Sequence, residues 1–281
     1  MTINSIMSIF SFLFGLALGS FLNVCIYRIP LNKSIVYPPS SCPQCGERIR
    51  FYDNIPLMSY IILLGRCRKC GKPISIGYPL VELIMGLLSL SLFVKYKLSH
   101  QYFLFLIFSA SLIVISFIDL RHQIIPDIIS LPGIVLGLLI SLIFKDIICY
   151  TLTISFKDHL LISLIFRDLT WYDSLIGVIV GGGILYLVAY LYEMFTGIEA
   201  MGGGDIKLLA MIGAWMGWLP LPFIIMISSL MGAVIGGLSL LFTRQGLRAK
   251  IPFGPFLTFG ALVYLFFGNE LVLWYFQLYS Y

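Results

Sequence analysis

Long apolar runs alternate with short polar interruptions along this chain, and the runs are long enough to cross a bilayer. Residues 3–27 form the first run, with no Lys or Arg before Arg28. Later runs predict helices over 79–96, 102–118, 127–144, 172–194, 206–218, 221–242 and 253–268. A membrane helix needs about 20 mostly apolar residues, so the pattern describes an all-α polytopic membrane protein with about eight transmembrane helices. The first run lacks the positive front and the small-residue cleavage site of a secretory signal peptide. It is therefore expected to stay as a helix with its N-terminus outside. In it, Gly15 and Gly19 stand four apart, a spacing that suits close helix packing and is also ordinary glycine usage in lipid. Asn23 should bond a neighbour or a water, and Cys25 reads as a small buried hydrophobe.

Two stretches break the pattern. Residues 145–171 mix apolar residues with Lys157, Asp158, His159, Arg167 and Asp168, and are expected to be an outer or interfacial segment. Residues 30–78 are polar and long enough to be a small domain. They hold Cys42-Pro-Gln-Cys45 and Cys67-Arg-Lys-Cys70, each followed by glycine, at Gly46 and Gly71. Two such knuckles match a four-thiolate tetrahedral site, while two disulfides are the competing reading. Charge separates the two. Lys33, Arg48, Arg50, Arg66, Arg68, Lys69 and Lys72 stand against only Glu47 and Asp53, which places the loop on the cytoplasmic side, where thiols stay reduced. Structural zinc on Cys42, Cys45, Cys67 and Cys70 is the expectation. Four protein ligands leave it no open position for catalysis.

Composition agrees. The 281 residues are 59% hydrophobic and only 11% charged, which excludes an ordinary soluble domain. The net charge of +5 tracks membrane topology and does not imply nucleic acid. Arg28, the seven basic loop residues, Arg121, Lys207, Arg244, Arg248 and Lys250 make thirteen of the eighteen Lys and Arg, all on the predicted inner side.

The candidate chemistry lies in the acids. Asp119 falls where the third apolar run reaches the headgroups, and an acid there is costly enough to suggest function. Its best partner is Asp205, in Gly202-Gly-Gly-Asp-Ile-Lys207, at the same predicted face. Two acids on different helices that share one water suit an aspartyl protease, with one proton held by the pair. Glycines before Asp205 let the backbone leave helical geometry and approach another chain. Lys207 either offsets local negative charge or marks the inner side. Asp127 follows Pro126 at a helix start, where capping alone would explain it. His122 reads as a solvated loop residue or as a group titrating near neutrality. Glu82 is expected in the first turn of the second helix, where the helix dipole and a functional role compete. Gly181-Gly-Gly183 lacks the context of a nucleotide loop and reads as packing glycines. No His-Glu-x-x-His or Gly-x-Ser-x-Gly is present for a zinc protease or a serine hydrolase.

Taken in order, these motifs resemble those of the type IV prepilin peptidases, bacterial inner-membrane leader peptidases, over nearly the whole chain. The resemblance is carried by Gly19-Ser-Phe-Leu-Asn23, both cysteine knuckles, Asp53-Asn-Ile-Pro56 with Ser59-Tyr60, and Tyr78-Pro-Leu-Val-Glu82. Asp119 with Ile125-Pro-Asp127, Gly202-Gly-Gly-Asp-Ile-Lys207 and Ile251-Pro-Phe-Gly-Pro255 complete it. It implies that Asp119 and Asp205 are catalytic, supported by Gly202, Gly204, Lys207 and Asp127. It also implies cleavage of a short basic prepilin or pseudopilin leader, after a glycine, at the cytoplasmic face. Members often also N-methylate the new N-terminus with S-adenosylmethionine, and the resemblance points for this to the loop, Glu82 and Gly86. The domain plan is then a first helix (1–29), a cytoplasmic zinc-binding domain (30–78) and a transmembrane peptidase domain (79–281). An ion or proton transporter using the acids, and a zinc-loop adaptor, are the alternatives from other functional classes. Oligomeric state is left open.

Overall fold

The computed structural model describes residues 3–144, 171–197, 202–242 and 252–279. The expected outer or interfacial segment at 145–170, Cys149 within it, and the basic turn of Arg244, Arg248 and Lys250 lie outside these. The helices are α1 (Ile3–Arg28), α2 (Met58–Ile62), α3 (Gly77–Tyr96), α4 (His100–His122), α5 (Asp127–Ile143), α6 (Trp171–Thr196), α7 (Gly203–Met216), α8 (Leu221–Phe242) and α9 (Gly254–Tyr279). Apart from the short α2, these are the eight helices of the hydrophobic pattern. Five of them contain stretches long and apolar enough to cross a membrane, in α1, α3, α4, α6 and α8, and Asp127–Ile143 and Gly254–Gly268 are shorter apolar helices. The protein is a multi-pass membrane protein. No strand joins the helices among the described residues, only two isolated bridges within the cysteine loop.

Boundaries moved at several places, among them α4, which runs on past Ile118 to His122. Trp171 belongs to α6 and not to the preceding segment, and α9 runs on past Gly268 to Tyr279. Helix α7 begins at Gly203, so Gly203 and Gly204 are themselves helical, with Gly202 in extended geometry before them. The departure from helix is therefore confined to Gly202, and of the three only Gly204 has a close neighbour among the described residues, Ile125.

The chain forms two compact units, Met1–Ile118 and Asp119–Tyr281. In the first, α1 packs along α3 through small residues. A Cβ on Gly15 would lie 2.5 Å from Ser89 Cβ and 2.6 Å from the Met85 carbonyl, and one on Gly19 would lie 2.7 Å from Glu82 Cα. Backbones this close gain dispersion energy in lipid, where no hydrophobic effect drives helices together. Ser11 and Ser89 lock the seam: each hydroxyl donates to the other's carbonyl, at 2.9 and 2.7 Å. Tyr102 Oη lies 3.1 and 2.8 Å from the two hydroxyl oxygens. Both serine protons are already used, so Tyr102 is the donor to the pair. Asn23 Nδ2 donates to the Tyr78 carbonyl at 3.0 Å, the neighbour bond its position called for. Cys25 is buried.

In the second unit α7 is the central element, with every residue from Leu208 to Met216 buried. Helices α5 and α6 pack on it through glycine. The α6–α7 crossing brings Gly177 and Gly213 together so tightly that a Cβ on either would sit 2.2 or 2.1 Å from the other's carbonyl oxygen. Gly181 similarly faces the Leu209 carbonyl, whereas among the described residues nothing lies within 4 Å of a Cβ on Gly183. The triple glycine thus packs on one side only. From α7, Trp215 Nε1 donates to the Gly133 carbonyl of α5 at 2.8 Å. Helices α8 and α9 are joined by the Ser228 hydroxyl, 2.9 Å from the Phe256 carbonyl.

Gly213→Ala should force α6 and α7 apart, because the obstacle is backbone and cannot rotate away. We expect a loss of about 1–3 kcal/mol, read as a lower thermal midpoint in detergent, while Gly183→Ala leaves the midpoint unchanged.

Candidate active site and metal centre

The second unit brings Asp119 and Asp205 to one place. Asp119 sits in the last turn of α4 and is 5% exposed. Its Oδ2 accepts the Gly254 N–H at 3.0 Å, from the first residue of α9. A helix N-terminus has unpaired N–H groups and a positive dipole end, and both suit a carboxylate. Glycine leaves the bond undisturbed: a Cβ at 254 would stand 2.7 Å from Asp119 Oδ2 and oblige the carboxylate to shift. Asp205 lies in the first turn of α7. Its Oδ1 is buried with no hydrogen-bond partner among the described residues. The charges of the two carboxylates interact. Ile125 bridges the two helix starts: a Cβ on Gly204 would meet Ile125 Cβ at 2.8 Å, and one on Gly254 would meet Ile125 Cδ1 at 3.4 Å. Gly204 and Gly254 let these two N-termini close around a single isoleucine.

Lys207 lies away from this contact. Its Nζ binds both oxygens of Asp127, at 2.7 and 2.8 Å, across α7 and α5. Both members are substantially exposed, so the pair contributes little stability. It does tie the start of α5 to the helix that carries Asp205. Pro126 is the N-cap of α5 and Asp127 stands in its first turn, where the sequence put a helix start, so Asp127 combines that position with the ion pair. His122 is exposed at the end of α4, and the carbonyl of Asp119 accepts the N–H of Gln123, which has φ 54° and ends the helix.

Glu82 departs from its expected position. It is the sixth residue of α3, not in the first turn, and its Oε2 accepts the Leu57 N–H at 2.9 Å. A loop amide, with the Ser20 hydroxyl beside it, is its partner in place of the helix dipole. Gly86 faces α1, where a Cβ would strike Leu16 and Phe12 at 2.8 and 2.9 Å. In the sequence, Ile125 and Gly254 stood only as members of Ile125-Pro-Asp127 and Ile251-Pro-Phe-Gly-Pro255, with no role of their own, and Leu57 was not singled out. The importance of Gly254 comes from the acid it faces, 135 positions earlier.

The two cysteine knuckles fold alike. The N–H of Gly46 donates to the Cys42 carbonyl and that of Gly71 to the Cys67 carbonyl, both at 2.9 Å. Both glycines have positive φ, 70° and 67°, which the tight turn requires. The four sulfurs lie within 4.8 Å of one another, Cys42 and Cys70 at 4.0 Å. A tetrahedral zinc with Zn–S of about 2.3 Å implies sulfurs about 3.8 Å apart, so the donor set can hold a metal ion. Backbone N–H groups of Cys70 and Lys69 pull the Cys67 thiol down to about 7, towards the thiolate a metal takes. Ion pairs brace the knuckles from outside: Lys69 with Glu47, and Arg68 with both oxygens of Asp53. The acids' carboxyls are accordingly held below their usual range by these cations.

Comparison with known proteins decides the family. Residues 13–96 match the bacterial peptidase A24 N-terminal domain, and residues 106–237 match the type IV leader peptidase family. A protein of Pseudomonas putida named prepilin leader peptidase/N-methyltransferase is 34% identical over 282 residues, covering 92% of this chain and 89% of that protein. Proteins of the same name from Stutzerimonas stutzeri and Xanthomonas campestris are each 37% identical, covering 94% and 92% of this chain and 91% and 90% of theirs. The chain belongs to the type IV leader peptidase family. No solved structure matches it. Asp119, Asp127 and Asp205 lie within the span matched by the family's peptidase model, and the four cysteines within that of the N-terminal domain.

One outcome follows for the metal centre and one for the Lys207–Asp127 pair. Elemental analysis should return one divalent ion per chain, and chelation should release it together with alkylation of all four thiols. Asp127→Asn should lower activity by no more than about tenfold, the scale of a lost surface ion pair, measured as leader cleavage by purified protein.

Proposed function

We propose that this protein is a membrane-embedded aspartyl endopeptidase that removes the short basic leader of type IV prepilins or pseudopilins. N-methylation of the new N-terminus is the expected second activity, named in the matched relatives. The observation that carries the reading is the pairing of a buried Asp119, oriented by Gly254, with an Asp205 whose Oδ1 has no partner among the described residues.

Two acids of this kind hold one proton between them and one water. Gly254 occupies Oδ2 of Asp119 and supports its negative charge, which suits the member that takes the proton of the attacking water. Asp205 then carries the shared proton and donates it to the scissile carbonyl through the face its Oδ1 leaves free. As the tetrahedral intermediate collapses, Asp119 returns its proton to the leaving amine. Exclusion of bulk water from the buried pair strengthens each of these interactions. Gly204 allows close approach to Ile125, Gly202 leads the chain into α7 in extended geometry, and the Lys207–Asp127 pair holds the register of α7 against α5.

The loop 30–78 forms a structural domain in which Cys42, Cys45, Cys67 and Cys70 hold zinc. When bound, S-adenosylmethionine supplies the methyl group. Glu82 is already bonded to Leu57, and Gly86 is filled by α1. Neither presents a free surface for that donor, and the second activity rests on the family alone. Orientation follows the Lys and Arg distribution: N-terminus outside, loop and aspartates at the cytoplasmic face of the bacterial inner membrane. A transporter or an adaptor finds no support in relatives named as peptidases.

Asp119→Asn and Asp205→Asn should each reduce leader cleavage by about 10²–10⁴-fold, the range of general acid–base catalysis, with insertion intact. Mass spectrometry of a prepilin peptide, with and without S-adenosylmethionine, separates cleavage from methylation. Robust cleavage by either purified variant would remove the dyad.

A further inference from the structure

The segment between the two cysteine knuckles has apolar side chains that nothing in the first unit covers. Ile55, Met58, Ile61, Ile62 and Leu64 are all exposed, Leu64 at 84%. In a polar, basic loop this is an unusual concentration, and contiguous exposed apolar surface marks an interaction site.

Its depth is set by one bond. The Leu57 N–H, one residue before α2, is held by Glu82 of α3. Helix α3 has 20 residues, about 30 Å at 1.5 Å per residue, which matches the hydrocarbon thickness of a bilayer. Glu82, sixth from its start, therefore lies about 8 Å along it, just inside the acyl boundary, at the depth where an interfacial helix buries its apolar face. Leu57 itself, at φ 59°, is the centre of a tight three-residue turn closed by the Met58 N–H on the Pro56 carbonyl at 2.6 Å, so the bond to Glu82 fixes the turn from which α2 starts. The start of α2 is thus pinned at the level of the membrane interface.

Charge fits the same surface. Glu47 and Asp53 are engaged by Lys69 and Arg68, while Lys33, Arg48, Arg66 and Lys72 are exposed with no ion-pair partner among the described residues. Arg66 stands two positions from Leu64. Apolar side chains beside unpaired basic ones are what binds the surface of an anionic bilayer.

We propose that residues 55–64 form an interfacial anchor that lays the metal-binding loop on an anionic lipid surface. Met58, Ile61, Ile62 and Leu64 enter the acyl boundary, and Arg66 with its basic neighbours meets lipid phosphates. The anchor restrains the loop beside the membrane instead of leaving it free in solvent.

The test uses the full chain in nanodiscs. Benzoylphenylalanine at Ile61 or Leu64, with Gln44 as the control position, is photolysed in phosphatidylglycerol-containing discs with a prepilin peptide present. Lipid adducts at 61 and 64 well above those at 44 are expected. Adducts formed only with a second copy of the chain or with the peptide, or lipid adducts no more frequent than at 44, overturn the proposal. Because a bulky label can disturb folding, amide exchange of the unmodified protein is the second measurement. Residues 58–64 should exchange about fivefold more slowly in anionic than in zwitterionic discs, and equal rates overturn it.

Discussion

A carboxylate at the end of an apolar helix needs a donor, and in this protein the donor to Asp119 is the Gly254 backbone at the start of another helix. The bond requires the N-terminus of α9 to come within 3.0 Å of a buried side chain, and a Cβ at 254 would push that carboxylate out of place. The same constraint recurs at Gly204, where α7 can reach Ile125 only without a Cβ. Two glycine-headed helix starts thus converge on one isoleucine, and each brings a part of the acidic site. The glycines of α6 and α7 extend this logic through the bilayer, since helices in lipid are held by contact and not by the exclusion of water.

The polar loop follows a different physics. It has almost no apolar core of its own, and four sulfurs, two ion pairs and the Glu82 bond organise it. Small domains that cannot bury enough surface need such staples. What remains apolar in it faces outward, which is intelligible if the surrounding medium at that level is lipid and not water.

Much of this was legible beforehand. Helix number and order came from run lengths, because a bilayer imposes one length scale on every crossing. The knuckles were legible because a metal site needs its ligands at short fixed spacings, and that spacing is local. The role of Glu82 was misplaced by one turn, since its partner is a loop amide 25 positions away. For Lys207 and Asp127, two side chains 80 positions apart, the sequence allowed a charge-offsetting and a helix-start reading, and the structure adds that they are each other's partner.

By itself, then, the sequence determined what depends on composition and short-range spacing: a membrane protein of about eight helices, a thiolate cluster, and two acids placed where acids are costly. Tertiary structure alone decided which groups meet those acids. Gly254, Ile125 and Leu57 are ordinary residues in ordinary contexts, and their importance lies in what packs against them. Backbone approach between distant helices leaves no periodicity for a sequence to display.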